Sequence, residues 1–134
     1  MPILLPLTQA LGLMPDSVTF VGKVVRFGGV CIELPYKIGD AFSAEDMAVV
    51  LLDPDDYLAD PAYGKDRRRG LNPLKNLLAI SRNGSILWEA EFPDSVDYYY
   101  QITSRNPLLV SSFSSHTCKI DLQTGKILSK TFCK

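Results

Sequence analysis

Two stretches near the end of the chain are the same hairpin written twice: Asn83-Gly84-Ser85-Ile86-Leu87-Trp88 and Gln123-Thr124-Gly125-Lys126-Ile127-Leu128. In each, a polar residue and a glycine stand between two apolar runs, and glycine supplies the positive φ that a tight β-hairpin requires. Gly84 and Gly125 are 41 residues apart, close to the roughly 40 to 45 residues of a repeat unit that holds four strands. The repeat constrains the fold to short antiparallel strands joined by hairpins. It names no reaction.

The rest of the chain fits that grammar. Its 134 residues suit one domain with a core of its own, taken as residues 1–134. Val18 to Phe27 and Val30 to Leu34 flank Gly28-Gly29 and read as a hairpin, with Val25 opposite Ile32 and Phe27 opposite Val30. Arg26, Cys31 and Glu33 then fall on the other face. Met47 to Leu52 reads as a buried strand. Strands resume near Asn76, and Ile86, Trp88, Ala90 and Phe92 share a face by alternation while Glu89 and Glu91 point the opposite way. Tyr98 to Thr103, Leu108 to Phe113, Thr117 to Asp121 and Lys126 to Phe132 bring the number of strands to eight or nine, and Leu7 to Met14 reads as a short helix. The expected class is all-β, or β-rich with one short N-terminal helix, an antiparallel sheet built from hairpins. Its parts are an N-terminal hairpin and strand (16–52), a long charged loop (53–75) and the two repeats (76–134).

The segments Asn76 to Trp88 and Lys119 to Leu128 resemble the blade motif of quinoprotein-type β-propellers, in which a strand, a glycine turn and a Trp-bearing strand follow one another. The resemblance covers about the last 60 residues. Ser129 stands where the first copy has Trp88, and no third copy is read before Asn76. A closed ring needs at least about four blades, and 134 residues hold little more than three units of 41. The resemblance therefore implies a propeller-blade-like C-terminal half. The chain as a whole also resembles small bacterial β-rich proteins, some of them suspected immunity partners of secreted toxins. That likeness implies a toxin domain as partner and carries no catalytic residue.

Lys plus Arg number 14 against 15 for Asp plus Glu, a net charge of -1, so no global basic field favours nucleic acid or anionic lipid. Three cysteines without a CxxC or zinc-site spacing fit a reducing cytoplasm. The apolar start Met1 to Leu7 is broken by Pro2 and Pro6, and no basic residue precedes Lys23, so it reads as packed structure rather than a signal peptide. No apolar run reaches the roughly 18 residues of a membrane span. Neither a cofactor nor a metal is expected.

The loop Asp53 to Pro73 is the first candidate site, because a loop of about 20 residues in a compact domain is usually a binding loop, a lid or simply disordered. Its charges are segregated: Asp53, Asp55, Asp56 and Asp60, then Lys65, Arg67, Arg68 and Arg69. A calcium loop of EF-hand type is excluded, since Leu58 and Gly64 occupy the positions of the required Gly and Glu. The three arginines beside five aspartates give too weak a footprint for nucleic acid. His116 and Cys118 would share a strand face, yet Cα atoms nearly 7 Å apart are too far for a direct thiol–imidazole bond. Glu89 and Glu91 read as ordinary exposed strand carboxylates. Trp88, Tyr98 and Tyr100 are the aromatic candidates for a desolvated contact centre. The reading is a non-catalytic protein-interaction module of the immunity type. The alternative is a β module that self-associates through open sheet edges or binds a small ligand.

Overall fold

Alternation decides the faces of the first strands. In β1 (Val18–Val21), β2 (Val24–Phe27) and β3 (Val30–Glu33), Val25 and Phe27 are buried while Arg26, Cys31 and Glu33 are exposed. Val25 pairs with Ile32 and Phe27 with Val30, the expected register. The computed structural model describes residues 17–59, 75–94 and 97–133. A second sheet holds β4 (Ile38–Ala44), β5 (Met47–Leu52), β6 (Leu77–Ser81) and β7 (Ile86–Glu89), with a helix α1 (Pro54–Ala59) between β5 and β6. The third holds β8 (Tyr99–Arg105), β9 (Leu108–Ser112), β10 (His116–Ile120) and β11 (Ile127–Phe132). Every pairing is antiparallel and every sheet follows chain order, so the protein is three successive meanders. The all-β class with a short helix is what the sequence led us to expect; the expected helix at Leu7 to Met14 lies outside the described residues.

Three local expectations need correction. Val18 to Phe27 is not one strand, because Gly22 adopts φ +58° and turns the chain back between β1 and β2. β4 was not foreseen. Its alternation is interrupted by a bulge between Ile38 and Asp40, and beyond it Ala41 and Phe42 are both buried because they face the two different cores. The charged loop opens as a helix. Asp53 caps it by accepting the Asp55 N–H at 3.0 Å, and Pro54 takes the first helical position, where a missing N–H costs nothing.

The middle sheet is covered on both faces, which is why all six residues of β5 are buried. Val25, Phe27, Tyr36, Val50, Leu78 and Ile80 belong to the core it shares with the first sheet. Val49, Leu51, Trp88, Tyr99, Val110 and Ile120 belong to the core it shares with the third. Each such side chain contributes about 1.5 to 3 kcal/mol on burial.

The repeated hairpin is the final hairpin of successive sheets. Both copies carry the same bulge: Ile80 pairs with Ile86 and Ala79 with Trp88, as Ile120 pairs with Ile127 and Lys119 with Ser129. The extra residue in each copy is a leucine, Leu87 or Leu128, and both are exposed. The bulge puts Ile86 on the face opposite Trp88, against the simple alternation. Each turn glycine also seats on the last strand of the preceding sheet. A Cβ on Gly84 would lie 3.4 Å from Val30 and Ile32, and one on Gly125 would lie 2.7 Å from the Trp88 ring. By this correspondence β3 matches β7, and the Gly28-Gly29 turn is a third copy of the hairpin, without the bulge.

Candidate interaction surface

At one end of the third sheet each strand presents a ring. Tyr98 precedes β8, Phe113 follows β9, His116 opens β10 and Phe132 closes β11. Tyr98 and Phe113 stack with centroids 5.3 Å apart, and His116 meets Phe132 edge to face at 5.6 Å. The ladder holds them as two pairs: Phe113 N–H donates to the Tyr98 carbonyl, and His116 pairs with Phe132. The register sets the first pair on the outer face of the sheet end and the second on its inner face. Phe113 is 67% exposed and Phe132 62%. Tyr100, about half exposed, lies at the bulge after Tyr99.

A buried polar network fixes the β9–β10 turn that carries Phe113. Asp97, 1% exposed, accepts hydrogen bonds from the Tyr98 N–H at 2.9 Å, the Ser114 N–H at 3.2 Å and the Ser114 hydroxyl at 2.6 Å. Ser114 has one hydroxyl proton and gives it to Asp97. Its oxygen therefore accepts from His116 Nδ1 at 2.9 Å and from the Ser112 hydroxyl at 3.1 Å, which places a proton on Nδ1. The order is carboxylate, hydroxyl, imidazole. A nucleophilic serine needs the imidazole in the middle, taking the hydroxyl proton, so the arrangement positions a turn rather than activating Ser114. Ser115 completes the turn at φ +69°, a left-handed conformation uncommon outside glycine.

The family model described as Domain of unknown function (DUF7957) matches residues 16–132. The chain belongs to the DUF7957 family. The match takes in all three sheets and the four rings, from Val18 at the start of β1 to Phe132. No curated protein and no solved structure matches the chain. Among the described residues, no helix is long and apolar enough to cross a membrane, and no group of three or more His, Cys, Asp or Glu could hold a metal.

Of the residues singled out in this DUF7957 sequence, Asp55 lies within electrostatic reach of Tyr98. Burial pushes the Tyr98 hydroxyl above its ordinary range, and the carboxylates of Asp55 and Asp97 push it further. Asp53 and Asp56 have structural work: Asp53 caps α1, and Asp56 accepts the Lys37 N–H at 2.8 Å. Asp60, Lys65, Arg67, Arg68 and Arg69 lie outside the described residues. Trp88 is corrected. It is 7% exposed, packs on Gly125 and donates its indole N–H to the Leu122 carbonyl at 2.7 Å. A ring held between two sheets is not an anchor for a partner.

The Cys118 reading is closed by burial. Its thiol lies beneath the third sheet beside Tyr99, and desolvation raises it above its ordinary value, the opposite of a nucleophilic cysteine. His116 turns to Ser114 instead. Glu89 and Glu91 accept backbone N–H groups, from Lys75 at 2.9 Å and Ile127 at 3.0 Å, and so fasten strand ends. Phe113 and Phe132 were missed as candidates. Their signal was present: the turn Phe113-Ser-Ser-His116 and the pairing of its flanking strands put all four rings at one sheet end.

Proposed function

We propose that this DUF7957 protein is a non-catalytic protein-interaction module whose contact centre is the ring row Tyr98, Phe113, His116 and Phe132. The observation that carries the reading is the exposure of two phenylalanines on a sheet end held by a buried hydrogen-bond network. Large rings left in water on rigid backbone are the usual anchors of protein interfaces, because they bury much area at little entropic cost. Asp55 beside Tyr98 adds negative charge at the rim, which favours a partner with a basic surface. A toxin domain with a basic active site, occluded by the row, is the partner class we propose. We read the stacked meanders as an open array of propeller-type blades that supports this surface. The exposed, unpaired thiols of Cys31 and Cys133 favour a reducing cytoplasm.

The test compares the wild-type chain with a Phe113→Ser, Phe132→Ser double variant in quantitative affinity capture from native cells. Replacing two anchors should cost at least about 2 kcal/mol, roughly thirtyfold in Kd. The fold should persist, since both rings are mostly exposed. A partner retained at equal yield by a folded double variant would overturn the reading.

A further inference from the structure

His116 is the chain's one histidine, and its two ring nitrogens meet different surroundings. Nδ1 lies 2.9 Å from the Ser114 hydroxyl, whose single proton goes to the buried Asp97 carboxylate at 2.6 Å, so Nδ1 carries the imidazole proton. Nε2 is left with a lone pair. Among the described residues it has no hydrogen-bond partner, and it is not a buried atom, so solvent reaches it. A neutral imidazole has one donor and one acceptor; here the turn takes the donor and the surface keeps the acceptor.

The acceptor stands beside apolar area that a partner covers. His116 meets Phe132 edge to face, and Phe132 is 62% exposed. A hydrogen bond left unmade in such a contact is costly. The charged groups on the elements around the ring are Asp97 before β8, Lys130 on β11, and Glu91 and Asp94 beyond β7. Lys130 donates to the Pro93 carbonyl at 3.2 Å, and Glu91 accepts the Ile127 N–H at 3.0 Å. Cys118, two residues along β10, and Tyr99 keep their protons, since burial raises both. The Cys133 thiol turns to the Thr117 hydroxyl at 3.4 Å. Asp97 is the charge joined to the imidazole, through Ser114.

We propose that His116 Nε2 accepts an N–H donor from the partner, and that protonation of this nitrogen releases the partner. The inference rests on the ring row as contact centre and adds the chemistry that the row selects. A basic surface supplies such donors in its Lys and Arg side chains. Once Nε2 takes a proton, the acceptor is gone and an imidazolium faces those cations, so attraction turns to repulsion. Imidazoles ordinarily make this change between about pH 5 and 8. The proton comes and goes at Nε2 alone. Nδ1 keeps its bond to Ser114, and the sheet end holds its shape in both states.

The test is affinity capture from native cells with the full chain, at about pH 7.5 and about pH 5.5, comparing the wild type with His116→Gln. Glutamine offers a neutral carbonyl oxygen in place of Nε2 and takes up no proton. The protein scored is the one that the Phe113→Ser, Phe132→Ser variant fails to capture at the higher pH. At the lower pH the wild type should retain about a tenth of it or less, and His116→Gln should hold it at both. Equal retention by the wild type at both, or equal loss from the wild type and His116→Gln, would overturn the proposal and leave the ring row standing. Capture undiminished in the double variant would overturn the ring row, and this inference with it. On the isolated nitrogen-15-labelled chain, NMR at the higher pH should show Nδ1 protonated and Nε2 bare; the opposite tautomer would also overturn the proposal. Should His116→Gln fail to fold, retention by the wild type in small steps of pH decides. It must begin to fall at the His116 midpoint given by the same NMR signal, and retention level through that midpoint would overturn the proposal.

Discussion

Gly125 shows how one atom sets the spacing of two sheets. A Cβ there would stand 2.7 to 3.0 Å from three atoms of the Trp88 ring, at φ +76°, whereas a Cβ on Gly29 at φ +84° would meet nothing within 4 Å. Both substitutions incur the left-handed strain of about 1 kcal/mol, and only the first also forces the sheets apart. Gly125→Ala should therefore destabilise by about 3 kcal/mol and Gly29→Ala by about 1 kcal/mol, read by urea unfolding. Equal losses would contradict the seating of the turn on Trp88. Tyr99 and Cys118 make a second residue-scale prediction. Burial raises both above their ordinary values of 10.0 and 9.0, so the folded protein holds these protons more tightly than the unfolded chain. Their contribution is fully present below about pH 9 and is lost as pH rises through the raised values. The urea midpoint should stay level to about pH 8.5 and fall above it; a level midpoint through pH 11 would count against the burial of this pair. A thiol reagent should label Cys31 and Cys133 quickly and Cys118 only on unfolding.

At the scale of elements, legibility followed the regularity of the backbone. The Gly28-Gly29 hairpin was readable to the residue because a two-residue turn fixes register, and Met47 to Leu52 because an apolar run of that short length fits a strand buried on both faces. β4 was hidden by its bulge, which breaks the two-residue period at Gly39. Ile86 was misplaced for the same reason, since the inserted Leu87 reverses the faces. The Gly28-Gly29 hairpin did not read as a third copy of the repeat because the long segment after β5 stretches the spacing between Gly29 and Gly84. Helix α1 was legible in principle: Asp53, Pro54 and two further acids spell a cap, a first helical position and a favourable first turn. Asp53→Ala should cost about 1 kcal/mol in urea unfolding, with the loss of the α1 cap; an unchanged midpoint would show that the helix stands without it. The ring row was only half legible. Tyr98 and Tyr100 announce themselves as aromatic neighbours, but Phe113 and Phe132 join them only through strand order.

The whole molecule is a stack in which the middle sheet serves two cores, so its integrity governs both. Trp88, the chain's one tryptophan, sits between the second and third sheets and reports on that junction. Trp88→Ala should cost about 3 to 5 kcal/mol by leaving a cavity, and native Trp88 emission should shift to the red in the same step that loses β-sheet circular dichroism. The outer face of the third sheet carries Ser111, Thr117, Lys119, Ser129 and Thr131 beside a half-buried Leu109, paired across β9, β10 and β11, a mostly polar face suited to water. Tyr98 and Phe113 at that sheet's end stand out against it, and His116 and Phe132 flank the opposite face. The most direct test of the ring row as contact centre is site-specific photocrosslinking in native cells, with a benzophenone amino acid placed at Phe113, at Phe132 or at Lys119. A discrete adduct with one other protein from positions 113 and 132, and none from 119, is the result expected. Adducts of equal yield from all three positions, or from 119 alone, would contradict it.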